Sequence, residues 1–209
     1  MKIDATNPID ARSGETKAAP CSSHCYATIV ADPPWPYRSH DLKASPTHRP
    51  RTWDGPTGGI SAKERYRLMS VDAIKTLNVP AMPDAHLYLW TTNSFMVEAH
   101  EIARAWGFEP KTILTWVKMK ADGTPSMKMG YWFRGATEHV LFCVRGKQRL
   151  VSDVALPTAY LWPRQSRHSE KPSEFFALVE RASPPPYLEM FARTRRPNWT
   201  PWGDQVPVA

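Results

Sequence analysis

Asp32, Pro33, Pro34 and Trp35 stand in a row directly after the short apolar run 29–31, and each residue type supplies something different. A carboxylate accepts hydrogen bonds and stabilises positive charge, prolines fix φ and lack an N–H, and an indole offers a flat apolar face. Pro34 also keeps Pro33 out of the α region, so the turn is stiff and presents carbonyl oxygens. This set suits an amino group conjugated to a flat ring, as on adenine or cytosine. The lone pair of such an amine is delocalised into the ring, and the nitrogen attacks poorly until it becomes pyramidal. The Asp32 carboxylate and the Pro33 carbonyl can each accept one of its two N–H bonds. Trp35, with Tyr37 close by, can hold the ring by stacking, at ~1–3 kcal/mol per base. No deprotonated nucleophile, metal or phosphate is required.

The elements that must position these residues alternate between strand and helix. The run 29–31 reads as a strand covered on both faces, with Asp32 at its carboxyl end, the edge where open α/β sheets take ligands. Residues 61–77 read as helix in two pieces, with Ser70 capping the second and Asp72 in its first turn. Strands follow at 85–90, 111–118, 138–144, 159–163 and 187–193. Between them, Asn93 is expected to cap a helix with Phe95, Met96, Ala99, Ile102, Ala103 and Trp106 on one side and Gly107 as its stop. Pro172 opens a second helix over 173–182, with Phe175, Phe176, Leu178 and Val179 buried. The rhythm predicts an α/β domain, a mainly parallel sheet with helices outside.

A chain of 209 residues, 42% hydrophobic, supports one sizeable core, so residues 25–209 are expected to form a single domain after a polar lead-in at 1–24. The net charge of +7 favours an anionic partner and points to nucleic acid. The loop 40–59, within the wider span 36–62, is rich in Pro, Gly and basic residues. It reads either as an insertion without a role or as a segment folding over a bound base, with Arg49 and Arg51 on phosphates. Residues 119–134 hold Lys120, Lys128 and Arg134 among Tyr131, Trp132 and Phe133, with Lys118 just before them. That pattern suits unstacked bases, or else a core-edge aromatic cluster with solvated lysines. Glu138 either faces the substrate or makes a sheet-edge ion pair. Substrate contacts are therefore expected from Trp35, Tyr37, Arg49, Arg51, Lys128 and Glu138.

No run of eighteen apolar residues occurs, and residues 1–4 lack the apolar core of a signal peptide. With three cysteines suited to a reducing compartment, the expected setting is cytoplasmic and away from membranes. Cys21, His24 and Cys25 lie close together without the four-ligand spacing of a structural zinc site, and no metal is expected.

Asp32-Pro33-Pro34-Trp35 resembles the D-P-P-W signature of adenine-specific amino-methyltransferases. Three further stretches resemble the MT-A type, the family typified by the catalytic subunit of the mRNA adenosine methyltransferase. They are Leu89-Trp90-Thr91-Thr92-Asn93; Gly135-Ala136-Thr137-Glu138-His139 with Val144-Arg145-Gly146; and Glu189-Met190-Phe191-Ala192-Arg193 through Pro197-Asn198-Trp199 to Trp202-Gly203-Asp204-Gln205. The blocks run in family order across about residues 26 to 205.

The resemblance implies a class I S-adenosylmethionine-dependent methyltransferase, Rossmann-like, with a mainly parallel seven-stranded sheet and a permuted motif order, acceptor motif first. It implies S-adenosyl-L-methionine as methyl donor and the 6-amino group of adenine in nucleic acid as acceptor. By resemblance the catalytic motif is Asp32, Pro33, Pro34 and Trp35, and the donor contacts are Asp32, Lys171, Phe191, Arg193, Asp204 and Gln205. Lys171 would hold the donor's carboxylate, and Asp204 and Gln205 polar edges of its ribose or adenine. The chain departs from the wider amino-methyltransferase pattern at Phe191, where a glycine-rich turn would follow, and has Asp204 where the MT-A type often has asparagine.

A protein glutamine methyltransferase would carry asparagine and tyrosine in place of Asp32 and Trp35, and a silent nucleic-acid-binding partner of the same fold typically loses both. The want of an appended zinc finger or target-recognition segment favours DNA over RNA. Strandedness, recognition sequence and oligomeric state stay open.

Overall fold

The computed structural model of the chain describes residues 25–36, 68–127, 132–153, 155–165 and 170–206. Seven strands, β1 (Tyr26–Ala31), β2 (Ala81–Thr91), β3 (Glu109–Met119), β4 (Thr137–Arg145), β5 (Ala159–Pro163), β6 (Tyr187–Met190) and β7 (Trp199–Trp202), make one sheet in the order β5-β3-β4-β2-β1-β6-β7. Helices α1 (Val71–Lys75) and α2 (Met96–Ala105) cover one face, and α3 (Ser173–Ala182) the other. All strand pairs are parallel except those of β4, which runs antiparallel to both β2 and β3.

Side-chain alternation sorts β1 between two cores. Ile29 and Ala31 join Ile74, Ala99, Ile102, Ala103 and Trp106 on the α1/α2 side, while Val30 joins Tyr88, Trp90, Phe175, Phe176 and Val179 under α3. Because β4 is antiparallel, its first residue, Thr137, lies beside Val117 of β3. The carboxyl ends of β1, β2, β3, β5, β6 and β7 and the start of β4 therefore share one edge.

Local signals in the sequence hold in several places. The Ser70 hydroxyl accepts the Ala73 N–H at 3.1 Å, capping α1. Gly107 follows α2 at φ 79°, and β5 and α3 occupy the predicted spans.

Others are revised. Asn93 does not cap α2: it starts a 3-10 turn, Asn93–Phe95, and α2 begins at Met96 without a side-chain cap. The predicted strand 187–193 stops at Met190, because Phe191 turns into the left-handed region. β7 was not foreseen, since Pro201 reads as a break; at a sheet edge a proline needs no ladder partner for its missing N–H.

Cys25 is disulfide-bonded, and Cys143 is free and buried. Among the described residues no helix is long and apolar enough to cross a membrane, and no three His, Cys, Asp or Glu side chains gather as metal ligands. The lead-in 1–24, with Cys21 and His24, the loop 40–59 and the helical piece 61–67 lie outside the described residues.

Candidate active site

Asp32 follows β1 directly, and its backbone N–H donates to the Met190 carbonyl at 3.5 Å, tying the corner to the end of β6. The chain runs from β1 to β2 on one side and later returns as β6 on the other, so connections diverge at this point. Such a switch point leaves a crevice outside the carboxyl ends of the strands. The corner is closed by two backbone bonds. Trp35 N–H donates to the Pro33 carbonyl at 2.9 Å, and Met69 N–H to the Pro34 carbonyl at 3.0 Å.

Trp35 itself is only 3% exposed. Its ring stacks on Phe95 with centroids 5.0 Å apart and planes at 16°, and its Nε1–H donates to the Trp90 carbonyl at 3.2 Å. This corrects the expectation that the indole offers an open face to a base. Burying so large an aromatic is worth ~1.5–3 kcal/mol, so the ring serves as a peg that locks the corner. The Pro33 carbonyl, although it already accepts Trp35, keeps a second lone pair for another donor.

The charged groups come next. Lys171 Nζ lies 2.9 Å from Asp32 Oδ2 and 3.2 Å from Glu138 Oε2, and Glu138 Oε1 pairs in turn with the Lys118 ammonium. Two carboxylates and two ammoniums form a run that is formally neutral, and the Lys171 side chain is 11% exposed. Each ammonium also sits 4.8 Å over an indole, Lys171 on Trp90 and Lys118 on Trp116, and these two rings meet edge to face at 6.1 Å. Burial alone pulls the Lys171 ammonium down; the Asp32 and Glu138 charges outweigh it and raise the group above the ordinary lysine range.

Of the two readings of Glu138, the structure gives the ion pair. Lys118, expected either on a base-holding surface or as a solvated lysine, is instead buried in that pair. Its signal was in the sequence: Trp116 and Lys118 are two apart on a strand and so share a face. Lys171, expected on the donor's carboxylate, is held between two carboxylates of the protein.

In the turn after β6, Phe191 has φ 62°, in the left-handed region that a side chain enters at a cost of order 1–3 kcal/mol. Ala192 N–H donates to the Trp202 carbonyl at 3.0 Å, and the Phe191 and Trp202 rings meet at 5.4 Å. A Cβ on Gly203 would lie 2.5 Å from the Ala192 carbonyl oxygen, so only glycine lets this turn press against the end of β6. Arg193 follows the turn half-buried, and Asp204 and Gln205 are exposed at its rim. Glu189, quoted above only within a motif, is raised in pKa by burial, with Arg196 Nε at 3.2 Å pulling the other way.

The arrangement joins a carboxylate and a buried cation to a close-packed backbone turn, a donor set that fits a nucleoside carrying opposite charges. Tyr37, Arg49, Arg51 and Lys128 lie outside the described residues. A cavity of about 350 Å³ opens at the opposite edge, around Arg104, Lys111 and Arg145. There Arg145 donates to the carbonyls of Ala81, Trp106 and Gly107. It has no part in the corner.

Comparison with known proteins gives a match to the MT-A70 family model over residues 26–205. The chain is 28% identical over 192 residues to the N(6)-adenosine-methyltransferase catalytic subunit METTL3 of Homo sapiens, covering 87% of this chain and 28% of that protein. It is 27% identical over 187 residues to an N(6)-adenosine-methyltransferase MT-A70-like protein of Drosophila melanogaster, covering 87% and 27%. It is 29% identical over 189 residues to the type II methyltransferase M.MunI of a Mycoplasma species, covering 87% and 78%. The chain thus spans under a third of the length of the first two relatives.

Proposed function

The chain belongs to the MT-A70 family, and from that membership we propose that it methylates the 6-amino group of adenine in nucleic acid, with DNA favoured over RNA. The fold is that of class I S-adenosylmethionine-dependent methyltransferases. One observation carries the reading: Asp32 stands at the switch point, bonded through its backbone to the end of β6 and through its side chain to Lys171. The motif read as acceptor site and the turn read as donor site would therefore meet at one residue.

The donor set described above fits S-adenosylmethionine, which supplies an electrophilic methyl carbon on a sulfonium when bound. Phe191, Arg193 and Gly203 to Gln205 would hold its nucleoside part, while Lys171 stays between Asp32 and Glu138 and sets the charge of the corner. Asp32 offers Oδ1 to one amino hydrogen of adenine while Lys171 takes Oδ2, and the Pro33 carbonyl accepts the other hydrogen. This draws the amine out of conjugation and stabilises the positive charge that the nitrogen gains, so fixed acceptors provide most of the rate. Trp35 keeps both acceptors in place.

The reading is tested by incubating the protein with labelled S-adenosylmethionine and single-stranded DNA, duplex DNA or RNA, then digesting to nucleosides. Label on N6-methyladenine supports it; label on a protein side chain, or none at all, rejects it. Asp32→Ala is expected to lower kcat at least about a hundredfold, or ~2.7 kcal/mol of barrier. Activity closer than that to wild type counts against the role of Asp32.

A further inference from the structure

Trp132 and Phe133 are 87% and 93% exposed, the highest among the large apolar side chains of the described residues. Leaving two such rings in water forgoes ~1.5–3 kcal/mol each. The same fold buries Trp35, Trp90, Trp106, Trp116 and Trp199. The pair belongs to the connection between β3 and β4, whose ends, Met119 and Thr137, both lie on the edge that carries Asp32. Glu138 stands five positions after Phe133, so Phe133 is tethered within ~17 Å of the charged run. That distance spans the nearest few nucleotides of a strand whose adenine reaches the corner.

The charge around the pair has one sign. Between Asp122 and Glu138 the sequence holds Lys128 and Arg134 and no carboxylate, and Arg134 is exposed beside Phe133. Flat apolar faces flanked by cations are what stacked bases and their phosphates require. A base drawn from its stack also leaves neighbours that have lost a partner, and the corner peg Trp35 has no open face to give them.

We propose that Trp132 and Phe133 form a stacking platform for the nucleotides flanking the target adenine. This rests on the function proposed above and adds to it the surface that holds the strand. Because every base has a π-face, the platform is tolerant of flanking sequence.

The test compares wild type, Trp132→Ala/Phe133→Ala and Trp132→Tyr/Phe133→Tyr on an oligonucleotide that wild type methylates. The alanine pair is expected to raise the oligonucleotide KM roughly 5- to 150-fold, as losing one stack does. kcat and S-adenosylmethionine binding should stay within about twofold, and the tyrosine pair should keep most of the affinity. An unchanged KM for the alanine pair overturns the platform while the methyl transfer stands. An unchanged KM with a fall in solution mass by light scattering assigns the rings to a protein contact and likewise overturns it. If wild type methylates no nucleic acid, the proposed function and the platform fall together.

Discussion

One face of β2 carries His86, Tyr88 and Trp90 in a row, and its two ends treat burial of polar groups in opposite ways. At the carboxyl end, Trp90 lies under Lys171 within the charged run of Asp32, Lys171, Glu138 and Lys118. About 13 Å along the strand, His86 Nδ1 and the Tyr88 hydroxyl each lie 2.7 Å from the Ser183 hydroxyl, a buried cluster without formal charge. Burial pulls the His86 imidazole down to about 4, against a small pull upward from the Gln148 backbone, and pushes the Tyr88 phenol up. The neutral cluster avoids charge by shifting its pKa values; the charged run keeps its charges and matches them in sign. Buried charge is costly even when paired, so its retention at the switch point marks the place where charge is used.

Breaking the charged run should give the larger effect. Lys171→Met leaves Asp32 and Glu138 with Lys118 as the remaining cation of the run, and should cost ~3–5 kcal/mol of stability. Adding Glu138→Gln should return part of that loss. Chemical denaturation of the two single variants and the double reads the coupling, and strict additivity would show that the charges act independently.

The neutral cluster should respond to acid. The unfolded chain protonates His86 near 6.5 and the folded chain only near 4. The cluster's contribution is therefore complete above about pH 6.5 and is lost as pH falls towards 4, by on the order of 3 kcal/mol. Urea midpoints at several pH values for wild type and His86→Gln isolate this component, because the carboxylates titrate in both. Equal acid sensitivity in the two proteins would remove His86 from the account.

The smallest effect is expected at Ser183→Ala, which leaves His86 and Tyr88 without their shared partner at ~1–3 kcal/mol. A thermal melt reads it, with methyl transfer expected unchanged. If activity fell instead, the two ends of β2 would not be separable.

The charged run was only partly legible in the chain. Asp32 follows from its place after an apolar strand, and Glu138 admitted an ion pair, but its partners stand 20 and 33 positions away. Periodicity gives the face on which a strand residue lies and leaves the neighbouring strand unnamed. Trp35 shows the limit from the other side: its type suits stacking on a base equally well as packing on Phe95, and its burial decided between them. The left-handed turn at Phe191 was not legible, since 187–193 reads as continuous strand, and the need for Gly203 appears only where the turn meets Ala192. β7 was hidden by Pro201, whose missing N–H matters inside a sheet and is harmless at its edge.

The sequence by itself determined the alternation of strands and helices, the acidic proline corner at the end of β1 and the order of motifs, because these depend on residues close together in the chain. The tertiary structure alone decided that β4 runs antiparallel, that Lys118 and Lys171 share Glu138, and that the Trp35 ring turns inward. Each of those is a contact between distant segments, and its sign is set by how charge and apolar area are removed from water together.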